Sequence, residues 1–328
     1  MEANWKNIWG DIYLKKSILN KIKSLIPDRV FMDEPMSKHT TFGIGGPASC
    51  FIYPEREHLK ELLKIANDDS IPIFFMGSGS NLLVSDNGFD GIVISFRKSL
   101  KKLVFRKGNC FSCESGVMLG HLVKEVSKRE IGGMEGLIGV PGTVGGALVM
   151  NAGAFGKEIS NLYESATVLT MKGNEKVYGK NDINFSYRYS TFPKNEILIE
   201  ADFKGLPGKF EDIKMEKTDA SMKRKSSQPL NFRSAGSIFK NPSDVMAAGY
   251  LIDKTDLKGE KSGEAEISEK HANFIINRGS AKSKDVIKLI KLARTKVMEQ
   301  FNIELQLEIK LLGFDDTTIH ELTGNSIV

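Results

Sequence analysis

The sequence predicts an α+β protein built from more than one compact unit, and three observations carry that expectation. Its 328 residues are long enough for two or three separate cores. Its apolar residues move between helical and strand spacing along the chain. Its middle holds a block, Gly132 to Gly156, with nine of the chain's 31 glycines. Backbone that rich in glycine needs unusual dihedrals or a close approach to something else.

The elements follow in order. Leu14, Ile18, Leu19, Ile22, Leu25 and Ile26 have helical spacing, and Pro27 stops the helix. A turn-rich stretch runs from Thr40 to Pro47. Ser49 to Tyr53 reads as a strand ending at Pro54. Glu57 to Asn67 reads as a helix with Leu59, Leu62, Leu63 and Ala66 on one face. Ile71 to Met76 is a short apolar strand. Beyond it, Gly91 to Phe96 and Leu103 to Phe105 read as strands and Met118 to Arg129 as a helix. After the glycine block come strands Ala166 to Met171 and Glu196 to Phe203. The third part starts near Leu206. It holds a helix over Met215 to Lys225 and another over Lys284 to Phe301, whose Val286, Ile287, Ile290, Ala293, Val297 and Phe301 share a side. Ile303 to Leu311 alternates apolar and polar, so it predicts a half-buried strand. The expected division is 1–95, 96–205 and 206–314, with a polar tail at 315–328.

Composition narrows the function classes. Hydrophobic residues are 41% and charged residues 27%, ordinary for a soluble globular chain. No apolar run approaches the ~20 residues of a membrane span. Met1 to Asp11 lacks the basic start, apolar middle and small-residue exit of a signal peptide, so a cytoplasmic location is expected. A net charge of +5 suits anionic small ligands and is too diffuse for nucleic acid. Lys223-Arg224-Lys225, the densest basic cluster, reads as a solvated loop. The three cysteines, Cys50, Cys110 and Cys113, fit a reducing compartment. Cys110 and Cys113 have C-x-x-C spacing, but no second pair completes a zinc site, and no metal is expected.

Three glycine-rich loops point to a ligand. Gly77-Ser78-Gly79-Ser80-Asn81 follows an apolar strand, where small residues let N–H groups converge on an anion. Leu82 stands where a third fingerprint glycine belongs, so this is not a Rossmann turn. Gly139-Val140-Pro141-Gly142-Thr143-Val144-Gly145-Gly146 and Asn151-Ala152-Gly153 are almost bare of side chains, and Thr143 and Asn151 offer specific hydrogen bonds. With Gly43-Ile44-Gly45-Gly46, they make a surface for one flat, extended dinucleotide. The combined pattern resembles the flavoproteins typified by vanillyl-alcohol oxidase, which hold FAD between two α+β subdomains.

The resemblance then sharpens. Five stretches, Thr41 to Ala48, Gly77 to Leu83, Gly139 to Gly146, Tyr187 to Ser190 and Ala235 to Pro242, are similar in content and order to the UDP-N-acetylenolpyruvoylglucosamine reductases, in the family's shorter form. The resemblance implies a fold of two α+β subdomains around noncovalent FAD plus a C-terminal α+β substrate domain. It implies NADPH as co-substrate and the enolpyruvyl ether of a UDP-sugar as substrate. Gly43, Ile44, Gly45, Gly46, Gly77, Ser78, Gly79, Ser80, Asn81, Leu82, Gly139, Pro141, Gly142, Thr143, Gly145, Gly146, Asn151 and Gly153 would then contact the cofactor. Ser237 matches the family's proton donor, and Arg188 the group that stabilises charge on the substrate carboxylate. Glu308 is chosen for the catalytic glutamate, with Glu304 as fallback. Tyr187, Arg188, Lys225, Gly236 and Asn241 would contact substrate. Arg224 and Arg233 are further candidates for its diphosphate. Another FAD-dependent oxidoreductase of the superfamily, or a noncatalytic nucleotide-binding protein, would share the loops without using Ser237.

Overall fold

The fold is that of a computed structural model, which describes residues 16–243 and 245–323. The start of the first expected helix at Leu14, the N-terminal stretch Met1 to Asp11 and residues 324–328 of the expected tail lie outside the described residues.

A four-stranded sheet organises the first unit, in the order Val30–Pro35, Pro47–Ile52, Phe89–Ser95, Ile73–Met76. Only the first pair is antiparallel. Successive side chains of a strand point to opposite faces, and here both faces are covered. Cys50, Ile52, Ile92 and Ile94 pack on Leu59, Leu62 and Leu63 of the helix Arg56–Asp68. Phe51 and Val93 face the other way, against Met36, Val84 and Leu312.

The second unit is a five-stranded antiparallel sheet, ordered Glu175–Gly179, Tyr163–Thr170, Glu196–Lys204, Cys110–Glu114, Leu103–Phe105. Phe111, Ala201 and Phe203 bury one face against Leu122, Val123 and Val126 of the helix Leu119–Ser127. Cys113 is buried in that core and Cys110 is half-buried; all three cysteines are free. Burial pushes the Cys50 thiol up to about 12, so it behaves as a small apolar side chain.

The third unit packs the helix Ser283–Phe301 on a three-stranded sheet, Lys261–Ser262, Ala265–Ile267, Ile275–Asn277. Its core joins Val286, Ile290 and Val297 to Phe239, Leu251 and Ile275, and reaches Phe42 and Ile44 of the first unit. Asp86, from the first unit, accepts the N–H groups of Ser283 and Lys284 at 3.0 and 3.4 Å. It thereby satisfies orphan donors at that helix's N-terminus.

Three expectations need correction. Ile303 to Leu311 is not one strand. Only Lys310–Leu312 forms a ladder, parallel to Leu82–Val84, and Leu307 makes a single bridge to Phe239. The backbone is instead bonded piecemeal to two loops: Lys240 N–H donates to Gln306, Glu308 N–H to Ile238, and Lys310 N–H to Asn81. The polar tail begins with a helix, Asp316–Thr323, because Leu322 is fully buried in the third core and Lys291 and Arg294 bind Glu321. Lys223-Arg224-Lys225 is not a solvated loop. It ends the helix Phe210–Ser227, and Arg224 is buried. That helix packs on the turn Glu135–Leu137 and the helix Leu119–Ser127, and the strand before it, Leu206–Pro207, pairs with Ile131–Gly132.

Candidate active site

The three glycine loops come together. Thr41 N–H donates to the Gly79 carbonyl at 3.1 Å, and the Ser80 hydroxyl donates to the Pro141 carbonyl at 3.2 Å. A Cβ on Gly77 would lie 2.2 Å from Thr143 Oγ1, so a side chain there would force Thr143 aside where these two loops touch. Several glycines answer to protein packing instead. A Cβ on Gly46 would lie 2.2 Å from the Asp86 carbonyl, one on Gly79 2.3 Å from the His39 carbonyl, and one on Gly145 2.8 Å from Ser115. Gly142 and Gly146 are open: a Cβ there would meet its first neighbour only at 3.6 and 3.7 Å. Ile44 and Leu82 send their side chains into cores, which leaves only their backbone for a ligand.

The loops also hold buried polar atoms with no protein partner: Ser78 Oγ, Ser115 Oγ and Asn151 Oδ1. Leaving a buried hydroxyl or amide unmade costs on the order of 1–3 kcal/mol. Three such atoms beside open glycines fit a polar, extended group such as FAD. Asn151, with φ +43°, donates its amide to Glu158 at 2.8 Å and to the Ser186 carbonyl at 3.0 Å, so its oxygen is aimed and free. Glu158, which accepts the Asn151 amide, and Ser115, whose Oγ has no partner, adjoin these loops without being singled out by the sequence. Ser115 is visible in the sequence only as part of a turn, Glu114-Ser115-Gly116.

The hairpin Phe185–Ser186/Tyr189–Ser190 hangs over this surface, tied to it by the Ser190 hydroxyl on the Val149 carbonyl at 2.7 Å. Its tight turn places Arg188 at φ +54°. The guanidinium donates Nε to Glu308 Oε1 at 2.8 Å and Nη2 to the Gly153 carbonyl at 3.1 Å. It also packs on the Tyr187 ring, 4.9 Å from the centroid. An exposed strand arginine is the simpler expectation; the turn makes it an inward clamp instead.

Glu308 reaches Arg188 because its own backbone is held. Its N–H donates to the Ile238 carbonyl at 2.8 Å, and Asn81 donates its amide to the Glu308 carbonyl at 3.0 Å. Burial holds the Glu308 carboxyl above its ordinary value, and Arg188 opposes this without reversing it. Ser237, next to Ile238, is half-buried and bridges Phe274. Gly236, before it, has φ +79° and open space around its absent Cβ. Asn241 N–H donates to the Tyr187 hydroxyl at 3.4 Å. Its side-chain oxygen accepts from Ala248 N–H at 3.1 Å. Glu304 is elsewhere: it is exposed and pairs with Arg294 at 2.9 Å.

The basic candidates divide. Lys225 is exposed, and its carbonyl accepts from Lys270. Arg233 lies over Gly43, whose Cβ would fall 2.5 Å from its Nη1. Arg224 is buried beside Gly139. Desolvation, and then its neighbours Lys240 and Lys194, press Lys310 below its ordinary value.

Comparison with known proteins gives consistent matches. A family model described as the UDP-N-acetylenolpyruvoylglucosamine reductase C-terminal domain matches residues 228–312, and an FAD binding domain matches residues 48–177. The chain is 42% identical over 288 residues to UDP-N-acetylenolpyruvoylglucosamine reductase of Clostridium botulinum (strain Hall), covering 87% of this chain and 93% of that one. It is 38% identical over 307 residues to the Clostridioides difficile (strain 630) protein of the same name, covering 93% and 99%. The crystal structure of UDP-N-acetylenolpyruvylglucosamine reductase from Thermus caldophilus superposes with a TM-score of 0.71 at 35% identity, covering 85% of this chain and 97% of that one.

Proposed function

Since this chain belongs to the UDP-N-acetylenolpyruvoylglucosamine reductase family, we propose that the half-buried Arg188–Glu308 pair and the adjacent Ser237 are its reaction centre. The chain is an FAD-dependent oxidoreductase of peptidoglycan precursor synthesis, with an FAD-binding fold of the vanillyl-alcohol oxidase type. It uses NADPH to reduce UDP-N-acetylglucosamine enolpyruvate to UDP-N-acetylmuramate. Bound FAD supplies the hydride chemistry that links NADPH to the enolpyruvyl double bond.

The protein's part is positioning and charge. Ser78, Ser80, Asn81, Thr143 and Asn151, with the backbone at Gly43 to Gly46, Gly77 to Leu82, Gly139 to Gly146 and Gly153, would hold the cofactor. Reduction of the enolpyruvyl double bond would place negative charge on the substrate carboxylate. Arg188, with a permanent charge and forked donors, meets that charge. Glu308, which accepts the Arg188 Nε–H and whose carboxyl burial holds above its ordinary value, would supply a hydrogen bond or proton to the same group when protonated. Ser237 gives its hydroxyl proton to the adjacent carbon. An unactivated hydroxyl is a weak acid, which suffices only against a reactive carbanion or enol. Tyr187, Gly236 and Asn241, with Lys225 or Arg224, would bind the rest of the substrate.

We further propose a three-unit division in which the helix Phe210–Ser227 goes with the second unit it packs on, so that the substrate unit begins near residue 228. The location we propose is cytoplasmic, in keeping with the family to which the chain belongs. Among the described residues no helix is long and apolar enough to cross a membrane.

The observation that carries the residue assignment is the Arg188–Glu308 contact at 2.8 Å between residues 120 apart in sequence. The test is anaerobic. NADPH should bleach the bound flavin, and the enolpyruvyl UDP-sugar should restore its colour. Bleaching without reoxidation by that substrate would overturn the reading.

A further inference from the structure

The stretch that carries Ser237 has no regular strand of its own. It lies beside the strand Ile275–Asn277 and meets that region by two isolated bridges, Arg233 with Asn277 and Ser237 with Phe274. Arg233 to Ser237 is four steps and Asn277 to Phe274 is three, so one extra residue sits on the Ser237 side. Gly236 takes it up, with φ +79° and nothing within 4 Å of an added Cβ. An extra residue of this kind is a bulge, which bends the chain and re-aims the side chain beside it. It also breaks the ladder, so the backbone groups at its flanks need other partners.

Two buried asparagines supply them. Asn273, 3% exposed, accepts the Phe239 N–H at 2.9 Å and donates its amide to the Phe239 carbonyl at 2.8 Å. Its own carbonyl accepts the Ile238 N–H at 2.9 Å. One side chain thus gives Phe239, two residues after Ser237, the pair of bonds that a neighbouring strand would give. Asn277, 5% exposed, holds the other flank: its backbone N–H donates to the Arg233 carbonyl at 2.9 Å. Its side-chain oxygen accepts the Gly279 and Ala281 N–H groups at 2.8 and 3.1 Å. Its amide donates to the Phe42 carbonyl at 3.0 Å, across 235 residues of sequence. Phe42 precedes Gly43 at the head of the first glycine loop. Beside it, the Thr41 hydroxyl donates to the Ser234 carbonyl at 2.8 Å.

We propose that Asn273 and Asn277 are positioning residues: they clamp the bulge at Gly236 and fix the Ser237 hydroxyl relative to the first glycine loop. This rests on the reading of Ser237 as proton donor to a substrate reduced through FAD. Both asparagines act through the backbone they hold, and Asn277 acts on the cofactor loop as well.

The replacements that test this are close in shape. Asn273→Asp keeps the oxygen that accepts the Phe239 N–H and loses the donor to the Phe239 carbonyl. Asn277→Asp keeps the turn at Gly279 and Ala281 and cuts the tie to Phe42. Thr41→Val cuts the parallel tie to Ser234 at a half-buried position, so it reports even where a buried aspartate prevents folding. In the purified holoenzyme, retention of FAD on dilution is measured first. Bleaching by NADPH and reoxidation by the enolpyruvyl UDP-sugar are then followed with FAD in excess.

Asn273→Asp should slow reoxidation ~10- to 100-fold, as for a reacting group moved by a fraction of an ångström, with retention and bleaching within about twofold of wild type. Asn277→Asp and Thr41→Val should slow reoxidation and also weaken FAD retention, each by up to about 10-fold, the scale of one lost hydrogen bond. The decisive background is Ser237→Ala. With the hydroxyl gone there is nothing left to position, so neither Asn273→Asp nor Thr41→Val should slow reoxidation further. Additive slowing in that background, or equal loss of bleaching and reoxidation in Asn273→Asp, would make these ordinary core residues and overturn the proposal. Unchanged FAD retention in both Asn277→Asp and Thr41→Val would overturn the tie to the glycine loop. A wild-type enzyme that is bleached by NADPH but fails to reduce the enolpyruvyl substrate would overturn the assigned reaction instead, and the retention measurements would still decide whether Asn277 holds the loop.

Discussion

Two glutamates four residues apart have opposite surroundings. The Glu304 side chain is 63% exposed and shares a surface pair with Arg294, whereas Glu308 is 15% exposed and bonded to Arg188. Glu308→Gln should slow reoxidation of the flavin by substrate on the order of 10²-fold, because an amide can neither transfer a proton nor pair with Arg188 as a carboxyl group does. Flavin content and bleaching by NADPH should be unchanged. Glu304→Gln should be silent, because surface substitutions of this kind are usually within ~0.5 kcal/mol. The pH dependence follows from the direction of the Glu308 shift. Its pKa is raised by burial, so the neutral form persists to higher pH than for a free carboxyl and is lost as pH rises through the raised value. The rate of substrate reduction should therefore fall on the alkaline side of that value, and the limb should vanish in Glu308→Gln, which cannot ionise. A limb that survives the substitution would assign the titration to another group. Ser237→Ala should separate the half-reactions, with bleaching intact and reoxidation slowed ~10²–10⁴-fold. Equal slowing of both would make Ser237 structural.

At the scale of elements, two of the junctions between the third unit and the first are short and specific. One is the parallel pairing of Lys310–Leu312 with Leu82–Val84. The other is Asp86, which receives two N–H groups of the helix Ser283–Phe301 and donates its own N–H to Ser283 Oγ at 3.0 Å. Asp86→Ala should cost about 1 kcal/mol by chemical denaturation, the usual loss for a helix cap. Because the cap comes from a different unit, the same variant should also raise the KM for substrate; an effect on stability alone would mean the units dock without it. The last helix makes a separate prediction. Leu322→Ala should destabilise by about 2–5 kcal/mol, as for a buried leucine, whereas a loosely ordered tail would tolerate it.

For the whole molecule, the cofactor test is direct. Purified protein should be yellow, and acid precipitation should release the flavin into the supernatant. The glycine loops contain no histidine or cysteine within Gly77 to Asn81 or Gly132 to Gly156 to anchor it covalently. Colour left in the pellet would contradict this.

The helices and strands of the first two units are legible in the sequence because their signals are local. A helix such as Arg56–Asp68 declares itself by apolar spacing, and the sheet strands by short apolar runs between turns. The loops are legible as motifs, since a side chain at Gly77 would press on Thr143. Ile303 to Leu311 misleads because alternation reports which side chains are buried, and says nothing of whether a partner strand lies alongside. The final helix escapes notice because one buried leucine in a polar segment makes no pattern.

The sequence by itself determined the class of fold, the three glycine loops, the family resemblance and the identity of Ser237, Arg188 and Glu308 as candidates. Only the tertiary structure set Glu308 against Arg188 and Glu304 against the surface Arg294, turned Arg188 inward, and buried Arg224 while leaving Lys225 in water. The reason is that periodicity records how a residue relates to its near neighbours in the chain. A carboxyl's protonation and an arginine's partner depend on groups more than a hundred residues away, and those distances exist only once the three cores have packed together.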